Sequence, residues 1–123
     1  MKKVLYIDVD GVLNLYNDEN GITWREERDL FLDWAASRFE CRFLTAWSTD
    51  ALRAEFPSKW HFPNEDWDKN KAEAIWRLPK NRAWAFLDDD PWDLSNVTVP
   101  GEFILIDGEK TGELLRVMEI LKP

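Results

Sequence analysis

The sequence predicts an α/β fold of three layers, with helices on both faces of a mainly parallel sheet, and three observations predict it. Four short apolar runs, each ending in a polar residue, read as strands. Helical patterns separate these runs, and strands that alternate with helices imply βαβ units. The chain of 123 residues suits a single domain, 1–123, around one hydrophobic core.

The first strand runs from Lys3 to Asp8, with Val4-Leu5-Tyr6-Ile7 before the acid. The others are Cys41 to Thr45, Ala83 to Leu87 and Phe103 to Ile106. Their apolar residues are continuous rather than alternating, the pattern of strands covered on both faces. A weaker strand signal lies at Trp60 to Phe62. A first helix is expected over Arg25 to Phe39, with Leu30, Phe31, Trp34 and Ala35 on one face and Glu26, Glu27 and Asp33 elsewhere. A second follows Ser48 or Thr49, either of which can cap it, and reaches about Glu55 before Pro57. A third spans roughly Asp68 to Arg77, ahead of Pro79. The last covers about Thr111 to Leu121, where Leu114, Val117, Met118 and Leu121 recur at helical spacing. Between the first strand and first helix, about 14–24, Leu15-Tyr16, a turn at Asn17-Asp18-Glu19-Asn20-Gly21 and Ile22-Thr23-Trp24 read as a short flap hairpin. Asn20-Gly21 is the hairpin signal, and the segment is too short to form a separate cap domain.

Composition narrows the class. The chain is 45% hydrophobic and 33% charged, which is globular rather than disordered. No apolar run approaches the roughly 20 residues needed to span a bilayer, so no membrane partner is expected. Met1-Lys2-Lys3 and the apolar run after it superficially resemble a signal peptide, but Asp8 and Asp10 interrupt that run too early; a cytoplasmic location is the default expectation. The net charge of −8 disfavours broad binding to nucleic acid, where Lys and Arg clusters supply most of the affinity. The single cysteine, Cys41, excludes an internal disulfide framework and reads as a small buried hydrophobe. Core packing explains most of the eight tryptophans more cheaply than ligand stacking.

In open α/β sheets the chemistry lies beyond the carboxyl ends of the strands. Here the strands end in Asp8, Thr45, Asp88 and Asp107, with Val9-Asp10-Gly11 after the first and Asp89-Asp90 after the third. Asp8, Asp10, Asp88 and Asp89 gathered at one sheet edge would repel and raise one another's pKa values. A hard divalent cation resolves that conflict, and oxygen ligands of this kind suit Mg²⁺. An EF-hand reading of the Asp-x-Asp fails, because Leu13 stands where its loop requires glycine.

Val4-Leu5-Tyr6-Ile7-Asp8-Val9-Asp10-Gly11-Val12-Leu13 resembles the first motif of the haloacid-dehalogenase-like superfamily. Phe43-Leu44-Thr45 resembles the second, Lys71-Ala72-Glu73-Ala74-Ile75 the third, and Trp84-Ala85-Phe86-Leu87-Asp88-Asp89 the fourth, all in order. A response-regulator receiver also combines acids, Thr and Lys, but there the paired acids come first; here they follow Lys71.

The resemblance implies a Rossmann-like sheet and a Mg²⁺-dependent phosphatase. Asp8 would be the nucleophile, forming an aspartyl-phosphate. Asp10 would act as general acid and then base, and Thr45 and Lys71 would bind the phosphate. Asp8, the backbone carbonyl of Asp10, and Asp89 would hold the metal, with Asp88 a further ligand or a partner just behind the ligands. Asp93 satisfies an alternative spacing for the last acid, and Lys69 is the alternative to Lys71. Asp107 and His61, the only histidine, are expected outside the site, and Asp90 is expected to be solvated or to cap the turn at Pro91.

The resemblance also implies a member without a cap and with an open site. That implies a phosphorylated macromolecular substrate, or closure by a neighbouring copy in a homo-oligomer; the acidic charge weakens the nucleic-acid version. Tyr16, Trp24, Trp47 and Trp92 could rim such a site, with core packing an equal or better explanation for each. A non-catalytic phosphate- or partner-binding module and a phosphotransferase are the alternative functions.

Overall fold

The computed structural model describes residues 1–16, 21 and 23–122. In chain order the elements are β1 (Val4–Ile7), β2 (Asn14–Leu15), β3 (Thr23–Trp24), α1 (Arg28–Arg38), β4 (Glu40–Phe43), α2 (Thr49–Glu55), α3 (Ala72–Trp76), β5 (Trp84–Asp88), α4 (Pro91–Ser95), β6 (Glu102–Leu105) and α5 (Glu113–Ile120). The four longer strands form one parallel sheet in the order β4-β1-β5-β6.

The central strands β1 and β5 are covered on both faces, whereas the edge strands β4 and β6 are not, contrary to expectation: β4 alternates, and Phe103 and Leu105 of β6 are exposed. On one face Leu5, Ile7, Ala85 and Leu87 meet Phe31, Leu32 and Ala35 of α1 and Leu114 and Val117 of α5. On the other, Val4, Tyr6, Trp84 and Phe86 meet Ala74 and Ile75 of α3. Each fully buried large apolar side chain contributes about 2 kcal/mol to this packing. The chain leaves β1 toward β4 through α1, and leaves β5 toward β6 through α4, on opposite sides. The crevice beyond the carboxyl ends of β1 and β5 is therefore the switch point, where such sheets place ligands.

Several local expectations are corrected. Helix α1 begins at Arg28 rather than Arg25, whose N–H instead donates to the carbonyl of Leu13 at 3.0 Å. Its inward face is Phe31, Leu32 and Ala35; Leu30 is 59% exposed and Trp34 only partly covered. Helix α3 is reduced to Ala72–Trp76, because the Glu73 carboxylate accepts the N–H groups of Asp68, Lys69 and Asn70 and holds them as a loop. The weak strand at Trp60 to Phe62 is not formed; Ser58–Trp60 is a 3₁₀ turn, and a single bridge joins Phe43 to Asn64. Ser48 is the cap of α2, accepting the Ala51 N–H at 3.1 Å. In the flap, Asn14 pairs with Trp24 and Leu15 with Thr23. The predicted turn at Asn17-Asp18-Glu19-Asn20-Gly21 lies, apart from Gly21, outside the described residues, as does Ile22. Among the described residues no helix is long and apolar enough to cross a membrane.

Candidate functional site

Asp8 leaves the sheet one residue past β1 with its N–H still bonded to the Leu87 carbonyl, 3.2 Å, so it stays beside β5. Asp88 is the last residue of β5 and is fully buried. Lys71 approaches the same point from the other side of the sheet, just ahead of α3. Its Nζ donates to Oδ2 of Asp8 at 3.0 Å and to Oδ2 of Asp88 at 3.0 Å, and pairs with Oδ2 of Asp93 at 3.4 Å. Two buried carboxylates thus share one buried ammonium. Ala72, Ala74 and Ile75 fix the lysine's direction by burying the face of α3 that follows it. Lys69, the alternative, is exposed.

The other oxygen of each acid also accepts a hydrogen bond. Oδ1 of Asp8 accepts the Val9 N–H at 2.7 Å, and the buried Thr45 hydroxyl bonds the same carboxylate. Oδ1 of Asp88 accepts the Asp90 N–H at 3.0 Å. Burial nevertheless dominates both groups. It raises the Asp8 carboxyl above the usual carboxylate range, with Lys71 and the hydrogen bonds pulling it back. Burial, and then the charge of Asp8, push Asp88 up to about 8 against the pull of Lys71. For Lys71, burial works against the charge, but Asp8 and Asp88 outweigh it and hold the ammonium above the ordinary lysine value.

Asp8, Asp88 and Asp89 each offer a carboxylate oxygen, and these oxygens lie within 4.8 Å of one another. Carboxyl oxygens grouped in this way could hold a hard cation. Asp93 is not in this group; its Oδ2 lies 3.4 Å from Lys71 Nζ.

The Asp10 carboxylate stands apart from this group. Its Oδ1 accepts from Asn14 Nδ2 at 3.0 Å and from Trp47 Nε1 at 3.1 Å. Asn14 also accepts the Gly11 N–H at 2.7 Å, which closes the tight loop after β1. Gly11 has φ of 77°, and a Cβ there would sit 2.5 Å from Asp89 Oδ2 and 2.9 Å from the Tyr16 ring, so only glycine fits. The Tyr16 hydroxyl donates to Asp89, and its ring lies over Gly108, where a Cβ would again collide at 2.5 Å.

Arg25 was not anticipated from the sequence. It is 3% exposed, and its guanidinium donates to the carbonyls of Val12 at 2.7 Å, Gly11 at 3.0 Å, Asp107 at 3.0 Å and Lys110 at 2.5 Å. It therefore ties the loop after β1 to the loop after β6. Burial lowers its pKa, with the charges of Glu27, Glu113 and Asp107 opposing that. Nothing in the sequence distinguishes it from a solvent-facing residue at a helix start. Asn14 carries a weak signal, lying four residues after Asp10 within the same tight loop.

The other candidates fall where solvated or structural residues belong. Asp107 is an exposed turn residue whose Oδ1 accepts the Glu109 N–H, and Asp90 accepts the Trp92 N–H at the start of α4. His61 is exposed, with Nε2 2.6 Å from the Phe56 carbonyl. Cys41 is buried, and burial raises its thiol to about 12, leaving it inert. Of the four aromatic rim candidates, Tyr16 and Trp47 touch site acids, Trp24 packs on Trp47 and Phe56, and Trp92 is 56% exposed. A cleft of about 460 Å³ opens beside Thr45, walled by Trp47, Ser48, Asn64, Glu65 and Trp67 among others. A larger apolar groove, about 570 Å³ between Trp76, Trp84 and Val99, lies at the amino ends of the strands, away from the acids.

No protein-family model, curated protein or solved structure matches this chain.

Proposed function

We propose that this protein is a divalent-metal-dependent phosphomonoesterase of the haloacid-dehalogenase-like type, using Asp8 as nucleophile. The observation that carries this reading is the Lys71 ammonium, buried 3.0 Å from both Asp8 and Asp88 at the switch point, with Asp89 alongside. A structural ion pair needs one acid for one base. A second buried carboxyl beside the same lysine is neutralised by its proton in the metal-free chain, and a divalent cation at Asp8, Asp88 and Asp89 would take that proton's place. The resemblance of Asp8-Val9-Asp10-Gly11 and Asp88-Asp89 to the superfamily's motifs supports the same assignment, including its Rossmann-like fold.

Asp8, Asp88 and Asp89 would hold the metal, with the Asp10 carbonyl as a further donor. When bound, Mg²⁺ would neutralise charge between the attacking carboxylate and the phosphoryl oxygens. Lys71 offsets the remaining repulsion, and the Thr45 hydroxyl donates to a phosphate oxygen. Asp8 attacks phosphorus as the bond to the alcohol oxygen breaks, and Asp10 gives that oxygen a proton. Asp10 then takes a proton from the water that attacks phosphorus and releases Asp8.

The test is hydrolysis of an aryl phosphate with and without Mg²⁺. Turnover that ends on chelation and in Asp8→Asn is expected. Turnover indifferent to either change rules the proposal out.

A further inference from the structure

We infer that Trp47 and Asn14 are positioning residues for Asp10, holding its carboxyl group for proton transfer to the leaving oxygen, so that their contribution depends on how basic that oxygen is. This deepens the reading of the site as a phosphatase and rests on it. The argument starts from the single oxygen to which both donors go. Asn14 Nδ2 at 3.0 Å and Trp47 Nε1 at 3.1 Å both bond Oδ1 of Asp10, and among the described residues no hydrogen bond engages Oδ2. Two donors on one oxygen fix the rotation of the carboxyl group and leave the other oxygen as the one that exchanges a proton.

The two donors come from different parts of the chain and are themselves held. Asn14 is 3% exposed and locked by the Gly11 N–H. Trp47 follows Thr45 in the loop after β4; its N–H donates to the Thr45 hydroxyl oxygen at 3.3 Å, its carbonyl accepts from Asn64, and its ring packs on Trp24 with centroids 5.9 Å apart. Trp47 thus ties the phosphate-binding threonine to the proton-transfer acid, and it walls the cleft beside Thr45. An exposed aspartate in free rotation would give poor geometry for proton transfer, and orientation alone is worth a large factor in rate.

A held acid matters only when the leaving group needs a proton. As the P–O bond to an alkyl alcohol breaks and the bond from Asp8 to phosphorus forms, the departing alkoxide is a strong base and takes the proton from Oδ2 of Asp10. An aryl oxide leaves as a stabilised anion and gains little from it. The contribution of Trp47 therefore grows with the basicity of the leaving oxygen.

The experiment compares kcat/KM for a simple alkyl phosphate and an aryl phosphate in wild type, Trp47→Phe and Asn14→Ser, with Mg²⁺ present. The alkyl value is expected to fall about tenfold more than the aryl value in Trp47→Phe. Equal falls for both substrates, or no change in either, overturn the assignment while leaving the phosphatase reading standing. Absence of Asp8-dependent turnover on both substrates overturns the two together. A second measurement needs no activity: the Trp47 indole N–H resonance, identified by its loss in Trp47→Phe, is expected to move in Asp10→Ala. A resonance indifferent to that change contradicts the hydrogen bond on which the inference depends.

Discussion

Nζ of Lys71 stands 3.0 Å from Oδ2 of Asp8, across 63 positions of sequence. The parallel sheet makes that meeting possible, because β1 delivers the acid and the loop before α3 delivers the base to one edge. A second acid, Asp88, shares the same ammonium at 3.0 Å. The two acids therefore share one positive charge, and burial keeps the Asp88 carboxyl protonated up to about pH 8.

Removing the lysine leaves two buried acids without a counter-charge. Lys71→Met is expected to destabilise the fold by about 4 kcal/mol at pH 8. The loss should be smaller at pH 5, where the acids take up protons. Urea denaturation at the two pH values measures it, and an equal loss at both would show that the lysine acts by packing alone.

The metal-free protein should lose stability as pH rises. Asp88 titrates near 8 in the folded chain and near ~3.9 when unfolded, so between these values the folded state binds the extra proton. That contribution is complete below the unfolded value and gone above pH 8. Divalent metal displaces the proton, so Mg²⁺ should raise the melting temperature more at pH 8 than at pH 5. Melting curves with Mg²⁺ and with chelator decide this. A metal-induced shift that is larger at pH 5 contradicts the account.

Arg25 should prove necessary to hold the site together. In Arg25→Leu the carbonyls of Gly11, Val12, Asp107 and Lys110 lose their shared donor, at an expected cost of about 3 kcal/mol. Hydrogen exchange should speed up in the loops after both β1 and β6. Faster exchange in only one of them would mean that the guanidinium does not couple the two.

Gly11→Ala sets backbone strain and a collision with Asp89 in the same place. The expected result is weaker Mg²⁺ binding by about tenfold or more, with a smaller effect on phosphate-independent folding. Calorimetric titration of Mg²⁺ gives the affinity; wild-type affinity in the variant would show that Asp89 is not a ligand.

Much of this was legible before the structure, for identifiable reasons. Strands buried on both faces leave continuous apolar runs, so Val4–Ile7 and Trp84–Asp88 stood out with their terminal acids. Asp8, Asp88 and Asp89 are readable because a sheet of this kind must bring its strand ends together, whereas Lys71, just ahead of α3, is readable only through the resemblance of its segment to a family motif. The helix before Arg77 was overextended because Glu73 caps a loop from inside the helix, a reversal that apolar periodicity does not register. The periodicity puts Leu30 with Phe31, Trp34 and Ala35; in the structure Phe31 and Ala35 are buried together with Leu32, and Leu30 is exposed. Arg25 was illegible, since its partners are backbone carbonyls, which have no sequence signature. Trp47 could be named as lying near the site, but its bond to Asp10 depends on the path of the loop after β4.

The central claim is that phosphorus becomes bonded to Asp8. Asp10→Asn removes the base for the second step, so the covalent intermediate should accumulate when this variant meets an aryl phosphate and Mg²⁺. Acid quenching and mass spectrometry of the digested chain test it directly. The expected result is one phosphoryl group on the peptide containing Asp8, absent from Asp8→Asn. Phosphate release in the wild type, with no phosphoryl adduct on that peptide and with turnover intact in Asp8→Asn, would contradict it.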